Sequence, residues 1–202
     1  MDELQAQMIL EEATRSRVLS SWDHQTELEV VSYGERSLGY HWIHYASAMY
    51  YNKLNSFLSI SVIISSGTTT AVTAVGLNSD ESQGLMIILA IFSGISTILA
   101  SILRFMRAGE QYEKHLNSAI QFQNMANEIK MELSFKQDDR SHAKEFMEKI
   151  YLEYNKITAD MPTPPSVIVE KFKREIVEKD IAIPEIANGY FRTFKHLQAT
   201  YI

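Results

Sequence analysis

The sequence contains no cysteine. This absence excludes disulfide bonds, thiolate metal sites and palmitoyl anchors. The sequence also lacks a glycine-rich phosphate loop, a His-Glu-x-x-His motif and a nucleophile elbow, which are short motifs that carry common enzyme chemistries. We therefore expect no catalytic residues and no cofactor, and we do not expect the chain to be an enzyme.

No block of basic residues is present, and the 19 Lys and Arg are outnumbered by 25 Asp and Glu. Nucleic-acid-binding domains concentrate basic residues on one face, so nucleic acid is not an expected partner. Two of the histidines, His41 and His44, lie three positions apart. That spacing can begin a metal site, but a third ligand is missing nearby. We expect a packing or interfacial role for both and no bound metal.

Charge is also absent from two long stretches in the middle of the chain. There are 26 uncharged residues between Lys53 and Asp80, and 22 between Glu81 and Arg104. About 20 apolar helical residues cross a bilayer core that is about 30 Å thick. We predict two transmembrane helices joined by a tight turn; a soluble bundle with two buried apolar helices is the alternative. The predicted spans are about 54–77 and 82–103.

Positive residues flank only one end of this predicted hairpin. The connecting turn contains Asp80 and Glu81 but no Lys or Arg. Lys and Arg are retained on the cytosolic side of a membrane. We therefore expect both termini in the cytosol and the acidic turn on the far side. The five bases around the other ends of the spans are Arg36, Lys53, Arg104, Arg107 and Lys114.

The first span is rich in hydroxyl side chains, and many of its polar residues share one face. At 100° per residue they fall within about 40° of one line along the helix, with one bulky apolar residue, Ile63, among them. A polar stripe inside a bilayer has to face protein or water. In a ring of copies it would line a pore, with Ile63 as an apolar constriction and with Asp80 and Glu81 at the far mouth. The candidate pore-lining residues are Asn52, Asn55, Ser59, Ile63, Ser66, Thr70 and Thr73.

The second span is more apolar and carries small residues along one face. Small residues allow membrane helices to approach each other closely. We interpret this face as a helix-packing seam. Its residues are Ala90, Ser93, Gly94, Thr97 and Ser101.

The segments outside the spans are charged, with helical periodicity. Residues 36–53 contain many Tyr and Trp residues, which favour membrane interfaces; packing against the protein's own helices is an equally weighted alternative. The helical period of the second span continues to about Ser134. A second amphipathic helix, with Asp138 or Asp139 as its N-cap, should fold back on it and end before the proline-rich segment 162–165.

The chain order predicts three segments. An N-terminal helical segment with a helix at about 2–18 is followed by a pre-membrane helix with the hairpin, and then by a cytosolic helical domain. The last domain ends with helices at about 166–179 and 184–200. The three predicted segments are 1–35, 36–103 and 104–202.

Short motifs accompany this layout. They are Glu35-Arg36-Ser37, His41, Tyr45 and Tyr51-Asn52-Lys53 before the Ser/Thr-rich span, Tyr112, Leu116, Ala119 and Phe122 after the second span, and then His142-Ala143-x-x-Phe146 and Pro162-x-Pro164-Pro165. Over residues 33–180 the chain resembles the SLATT family of two-span membrane effectors. The resemblance implies a homo-oligomeric membrane assembly that forms pores on activation.

These observations predict an all-α membrane protein, built as a two-helix transmembrane hairpin with long cytosolic helical extensions and assembled as a homo-oligomeric bundle. The expected function is that of a pore or ion channel. Its expected partners are the lipid bilayer, further copies of the same chain and ions in transit. The alternative function is a non-conducting membrane scaffold whose cytosolic helices recruit other proteins.

Overall fold

The computed structural model of the protein describes residue 5 and residues 22–76, 82–176 and 182–188, and all regular elements in these ranges are helical. Residue 5 aside, the predicted helix at 2–18 lies outside the described residues, as do the turn residues 78–81 and the predicted last helix beyond residue 188. The helices are α1 (His24–Gly76), α2 (Ser82–Met106), α3 (Ala108–Ser134), α4 (Ala143–Asp160), α5 (Ser166–Ile176) and α6 (Glu185–Asn188), with a 3-10 turn at Gln137–Asp139.

The chain divides into two compact units. We call Met1–Tyr45 together with Leu116–Ile202 the core unit, and Ala46–His115 the span unit. Helices α1 and α3 each contribute one part to each unit. The residues before Ala46 and those after His115 therefore belong to one unit.

Helix α1 is 53 residues long and contains no proline. It begins directly after Asp23, whose carboxylate accepts a hydrogen bond from the Thr26 N–H at 2.6 Å and so satisfies one of the free amides at the helix start. The prediction that the aromatic segment 36–53 is helical and continues into the first span is confirmed.

A break separates α2 from α3. Arg107 lies between them with a backbone φ of 44°, a left-handed conformation that ends a right-handed helix and is rare for residues other than glycine, asparagine and aspartate. The expected single helix from the second span to Ser134 is therefore wrong at this residue. Its predicted end, Ser134, is confirmed.

The main core of the core unit is formed by α1, α3 and α4. Tyr40 stacks on Phe122 with ring centroids 4.7 Å apart, and Trp22 packs on Phe146 at 5.7 Å. The prediction that α4 folds back on α3 is confirmed. The buried face of α4 consists of Ala143, Phe146, Ile150, Tyr154 and Ile157.

The predicted N-cap of α4 is wrong. Asp138 and Asp139 lie in the 3-10 turn, and the residue before α4 is His142, which makes no side-chain capping hydrogen bond. The predicted C-terminal end of α4 is confirmed, because the helix stops at Asp160, before the proline-rich segment 162–165. A proline ring excludes the helical conformation of the residue before it, which explains this stop.

Two helical segments, His24–Ala74 in α1 and Gly84–Ser134, which begins in α2, are long and apolar enough to cross a membrane. Most of the side chains in their apolar windows are exposed, since only 11% of the first window and 0% of the second are buried. In a soluble protein, apolar helices of this length would be buried at the centre of a core. The exposure therefore favours the membrane-spanning interpretation over the soluble bundle.

Candidate functional site

One side-chain hydrogen bond connects the two spans of the span unit. The Ser65 hydroxyl donates to the main-chain carbonyl oxygen of Phe92 at 2.9 Å. Ser65 and Leu58, two turns apart on α1, are both buried. They define the face of α1 that is covered by α2, and this contact fixes the register of the antiparallel hairpin.

The predicted polar stripe lies beside this covered face. At 100° per residue its centre is about 110° around α1 from Ser65 and Leu58. Asn55 and Ser59 are half-buried, whereas Asn52, Ser66, Thr70 and Thr73 are exposed. Ile63, the proposed constriction, is 68% exposed. The hairpin alone thus leaves most of the stripe uncovered.

Three hydroxyl groups of the stripe, those of Ser66, Thr70 and Thr73, bond within their own helix. Ser66 donates to the Val62 carbonyl at 2.8 Å and Thr70 donates to the Ser66 carbonyl at 3.0 Å. Thr73 donates to the Thr69 carbonyl at 2.8 Å. Each donated proton therefore stays inside the helix, and the hydroxyl oxygen retains lone pairs that can accept a hydrogen bond from outside.

The small-residue face of α2 is exposed within the chain. The half-buried residues of α2 instead share the face that carries Phe92. A Cβ added to Gly94 would meet nothing within 4 Å. The half-buried residues are Leu85, Leu89, Phe92, Ser96, Leu99 and Leu103, and the exposed seam residues are Ala90, Ser93, Gly94, Thr97 and Ser101.

The two ends of the candidate pore differ in what the structure describes. The proposed charged mouth, Asp80 and Glu81, lies outside the described residues. At the other end, Asn55 lies near the α2–α3 break, since a Cβ built on Gly109 would be 3.9 Å from Asn55 Oδ1. Tyr51 stacks on the buried His115 with ring centroids 5.4 Å apart.

In the aromatic segment before the first span, some rings pack against the protein's own helices and others are exposed. Its early rings pack within the core unit: Tyr40 is buried, and Trp42 contacts Phe172 at 5.5 Å. Its later rings are open, with Tyr45 48% and Tyr50 42% exposed. Exposed tyrosines at the start of a span are typical of a membrane interface.

The two neighbouring histidines have the packing role expected of them. His41 Nδ1 lies 3.0 Å from the Ala119 carbonyl oxygen, and the buried His44 ring stacks on Phe122 at 5.9 Å. Among the residues that the structure describes, no three His, Asp or Glu side chains are grouped as a metal site requires.

The core unit contains a charged cluster, centred on Glu185, that local sequence patterns do not predict. Glu185 accepts hydrogen bonds from Tyr154 at 2.5 Å and Tyr40 at 3.2 Å, and pairs with Arg36 at 3.0 Å. Burial and the neighbouring Glu185 carboxylate raise the pKa of Tyr154, so this phenol remains a proton donor. The three partners come from α1 and α4, about 30 to 150 positions away along the chain, which is why local patterns do not reveal them.

The chain was also compared with known proteins. Residues 40–160 match the fungal SLATT family, described as the SMODS and SLOG-associating 2TM effector domain. The match covers more than half of the chain, from Tyr40 in α1 to Asp160, the last residue of α4. The chain belongs to the SLATT family. No curated protein and no solved structure matches it.

Family membership establishes the general nature of the molecule. This SLATT chain is an all-α membrane protein that carries a two-span effector domain. The SLATT match contains both spans and the α3–α4 pair. The family domain therefore includes residues from both compact units. The stripe, the seam and the exposed tyrosines all lie inside the matched range.

Proposed function

We propose that this SLATT chain is an effector that assembles into homo-oligomers and conducts ions through a pore lined by the first span of each copy. In this proposal it acts by permeabilising a membrane and catalyses no reaction. The observation that carries the proposal is the polar stripe on α1, which the hairpin leaves mostly exposed. Lipid is a poor environment for such a surface, whereas a shared water-filled axis accommodates it.

The orientation of the hydroxyl groups supports a water-filled lining. Ser66, Thr70 and Thr73 donate their hydroxyl protons to their own helix. What these hydroxyl groups can still offer to water or ions is the lone pairs on their oxygens. A row of such oxygens can replace part of the hydration shell of a cation, in the way that carbonyl oxygens do in selective channels. Cations are therefore the expected permeating species.

The exposed seam on α2 supports assembly. The seam residues Ala90, Ser93, Gly94, Thr97 and Ser101 are all small and exposed, and a Cβ added to Gly94 would meet nothing within 4 Å. Membrane helices associate through such faces by close backbone approach. A neighbouring copy that packs there would complete a ring while the α1 stripes turn towards the axis.

A non-conducting scaffold is the competing function, and one observation favours it. Because the stripe hydroxyls already bond to their own helix, the energetic cost of facing them towards lipid is reduced. A scaffold could tolerate such a stripe and use it only for helix packing. The two functions differ in conductance.

The experiment is a planar-bilayer recording of the full purified chain. We expect discrete conductance steps, together with a defined homo-oligomer in native mass spectrometry. Thr70→Val with Thr73→Val, which keeps the shape of both side chains but removes the polar oxygens, should lower the unit conductance. Thr68→Val is the matched control for conduction, because the Thr68 hydroxyl also donates to its own helix, at 2.9 Å to the Ile64 carbonyl, but lies on the opposite face of α1 from the stripe. An assembled but silent protein would assign the chain to the scaffold class.

The proposed topology places both termini in the cytosol. It rests on the five bases at one end of the hairpin and their absence from the turn. Because the chain has no native cysteine, single cysteines at Ser79 and Ser141 can be labelled without background. We expect labelling from opposite sides of sealed vesicles. Labelling of both from the same side would reject the hairpin orientation.

A further inference from the structure

One face of α3 in the core unit is exposed and uncharged. Its five residues recur at alternating steps of four and three positions, and at 100° per residue they lie within about 40° of one line along the helix. Two of them are apolar, with Ile120 50% and Met131 57% exposed, and the other three are exposed asparagines. We call this surface the asparagine face; it consists of Asn117, Ile120, Asn124, Asn127 and Met131.

The absence of charge distinguishes the asparagine face from the exposed side of the neighbouring helix α4. No Lys, Arg, Asp or Glu occurs between Lys114 and Glu128, although the solvent-facing side of a helix is ordinarily charged. Phe122, about 180° around α3 from this face, is fully buried, so the other side of α3 is the one that packs in the core. Charged residues are depleted where protein surfaces associate. The exposed residues of α4 include Lys144, Glu145, Glu148, Lys149, Lys156 and Asp160.

The spacing of the asparagine face fits another helix as its partner. Alternating steps of three and four are the a and d positions of helices that pack side by side. Asn117, Asn124 and Met131 then occupy a positions, and Ile120 and Asn127 occupy d positions. An asparagine amide both donates and accepts hydrogen bonds, so it can pair with the same asparagine of an identical helix. An asparagine at an a position fixes the register of such helices at a cost in stability.

We propose that the asparagine face is an interface between copies of this chain, formed by parallel packing of their α3 helices. The interface rests on the assembly of copies under the proposed function, but not on conduction. Copies that share one membrane topology have their α3 helices pointing in the same direction, as parallel packing requires. Association of the spans raises the local concentration of α3, so a seam weakened by asparagines can still form. Ile120 and Met131 supply its apolar contacts.

The test is crosslinking of single-cysteine variants of the full chain in membranes, which the absence of native cysteine makes specific. Asn124→Cys should give a covalent dimer with a short bis-maleimide, because equal a positions face each other across parallel helices. Asn155→Cys, at an exposed asparagine of α4, is the matched control and should give no dimer.

Two further positions test the direction of packing. In parallel register, Asn117→Cys and Met131→Cys should each give a dimer when expressed alone. Differently tagged copies of the two variants should give no mixed dimer, since about 21 Å separates these positions along the helix. An antiparallel pair would give the mixed dimer instead.

A charge on the asparagine face tests the contact without moving the crosslinking site. Ile120→Glu in the Asn124→Cys background should lower the dimer yield about tenfold, because carboxylates of neighbouring copies would meet in the interface. Leu152→Glu, at a 60% exposed apolar residue of α4, is the control and should leave the yield unchanged.

Conductance measured on the same variants separates the interface from the proposed pore. A crosslinked protein that does not conduct would support the interface and reject the pore. A conducting protein without a dimer at Asn124→Cys would reject the interface and leave the pore in place. Equal yields for Asn124→Cys and Asn155→Cys, a mixed dimer of the Asn117→Cys and Met131→Cys variants, or full yield with Ile120→Glu would each overturn the proposal.

Discussion

Gly39 and Pro184 lie closer together than any side chain at position 39 would allow. A Cβ built on Gly39 would be 2.5 Å from Pro184 Cγ and 3.1 Å from Phe172 Cζ. Pro184 is fully buried, and its ring is too stiff to move aside. This contact places the segment 182–188 on α1 and brings Glu185 to Arg36.

Gly39→Ala should therefore destabilise the core unit. Overpacking of a tightly filled site costs about 1 to 3 kcal/mol, which outweighs the helix propensity that alanine gains over glycine. Thermal unfolding of the purified chain measures the effect. Gly67→Ala is the control, since a Cβ there meets nothing within 4 Å. An equal or higher midpoint for Gly39→Ala would show that Pro184 does not pack as described.

The hydrogen bond between the spans gives a second prediction. Ser65→Ala removes the bond to the Phe92 carbonyl and should destabilise the hairpin by about 0.5 to 1 kcal/mol, the usual value between membrane helices. Ser61→Ala removes only a bond to the Phe57 carbonyl in the same helix and should have a smaller effect. Denaturation in detergent compares the two. A larger loss for Ser61→Ala would contradict the register.

The buried His115 predicts a dependence of stability on pH. Burial lowers the pKa of His115 from 6.5 to about 4, so between these values the unfolded chain binds a proton that the folded chain does not. Stability then rises with pH. The contribution of His115 is unfavourable below about pH 4, shrinks as the pH rises to 6.5, and disappears above that value. Its full size is about 3 kcal/mol.

Replacing the histidine tests this prediction. The free energy of unfolding of His115→Gln, measured from pH 4 to pH 7.5, should change less with pH than that of the original chain. His142→Gln, at an exposed position, should leave the pH dependence as it was. Parallel curves for the original chain and His115→Gln would mean that folding does not lower the pKa of His115.

Ile63 provides a prediction about conduction. It is the bulky apolar residue between Ser59 and Ser66 in the stripe, and a narrow apolar ring excludes water and ions. Ile63→Asn should wet this ring and raise the basal conductance and cell toxicity. Ile64 is similarly exposed but lies about 100° around the helix, so Ile64→Asn should not open the pore. If the two variants behaved alike in planar bilayers, α1 would not line the pore.

Periodicity and charge predicted the helices well, because these signals are local. The absence of charge located both spans, and helical spacing predicted the second amphipathic helix, which is α4. The proline-rich segment located the end of α4, since proline acts on its immediate neighbour. The polar stripe also followed from spacing alone.

Features that depend on distant residues were not predictable in this way. The left-handed Arg107 carries no signal, since arginine neither favours that conformation nor marks a break. The face of α1 covered by α2 was not identified either, because Ser65 resembles the other hydroxyl residues until its partner Phe92 is known. Likewise Gly39, one of eight glycines, gains its meaning only from Pro184.

The division of the core unit into segments before and after the hairpin constrains the order of events during synthesis. The first part, ending at Tyr45, leaves the ribosome well before its partners on α3 and α4 exist. Ile157, the last core residue of α4, follows Tyr45 by 112 positions, which corresponds to roughly 6 to 22 s at 5 to 20 residues per second. Throughout this interval the apolar surface around Val30 and Tyr40 is without its cover, while the spans are already entering the bilayer. The core unit therefore cannot close until α4 has been synthesised, which is after both spans have left the ribosome.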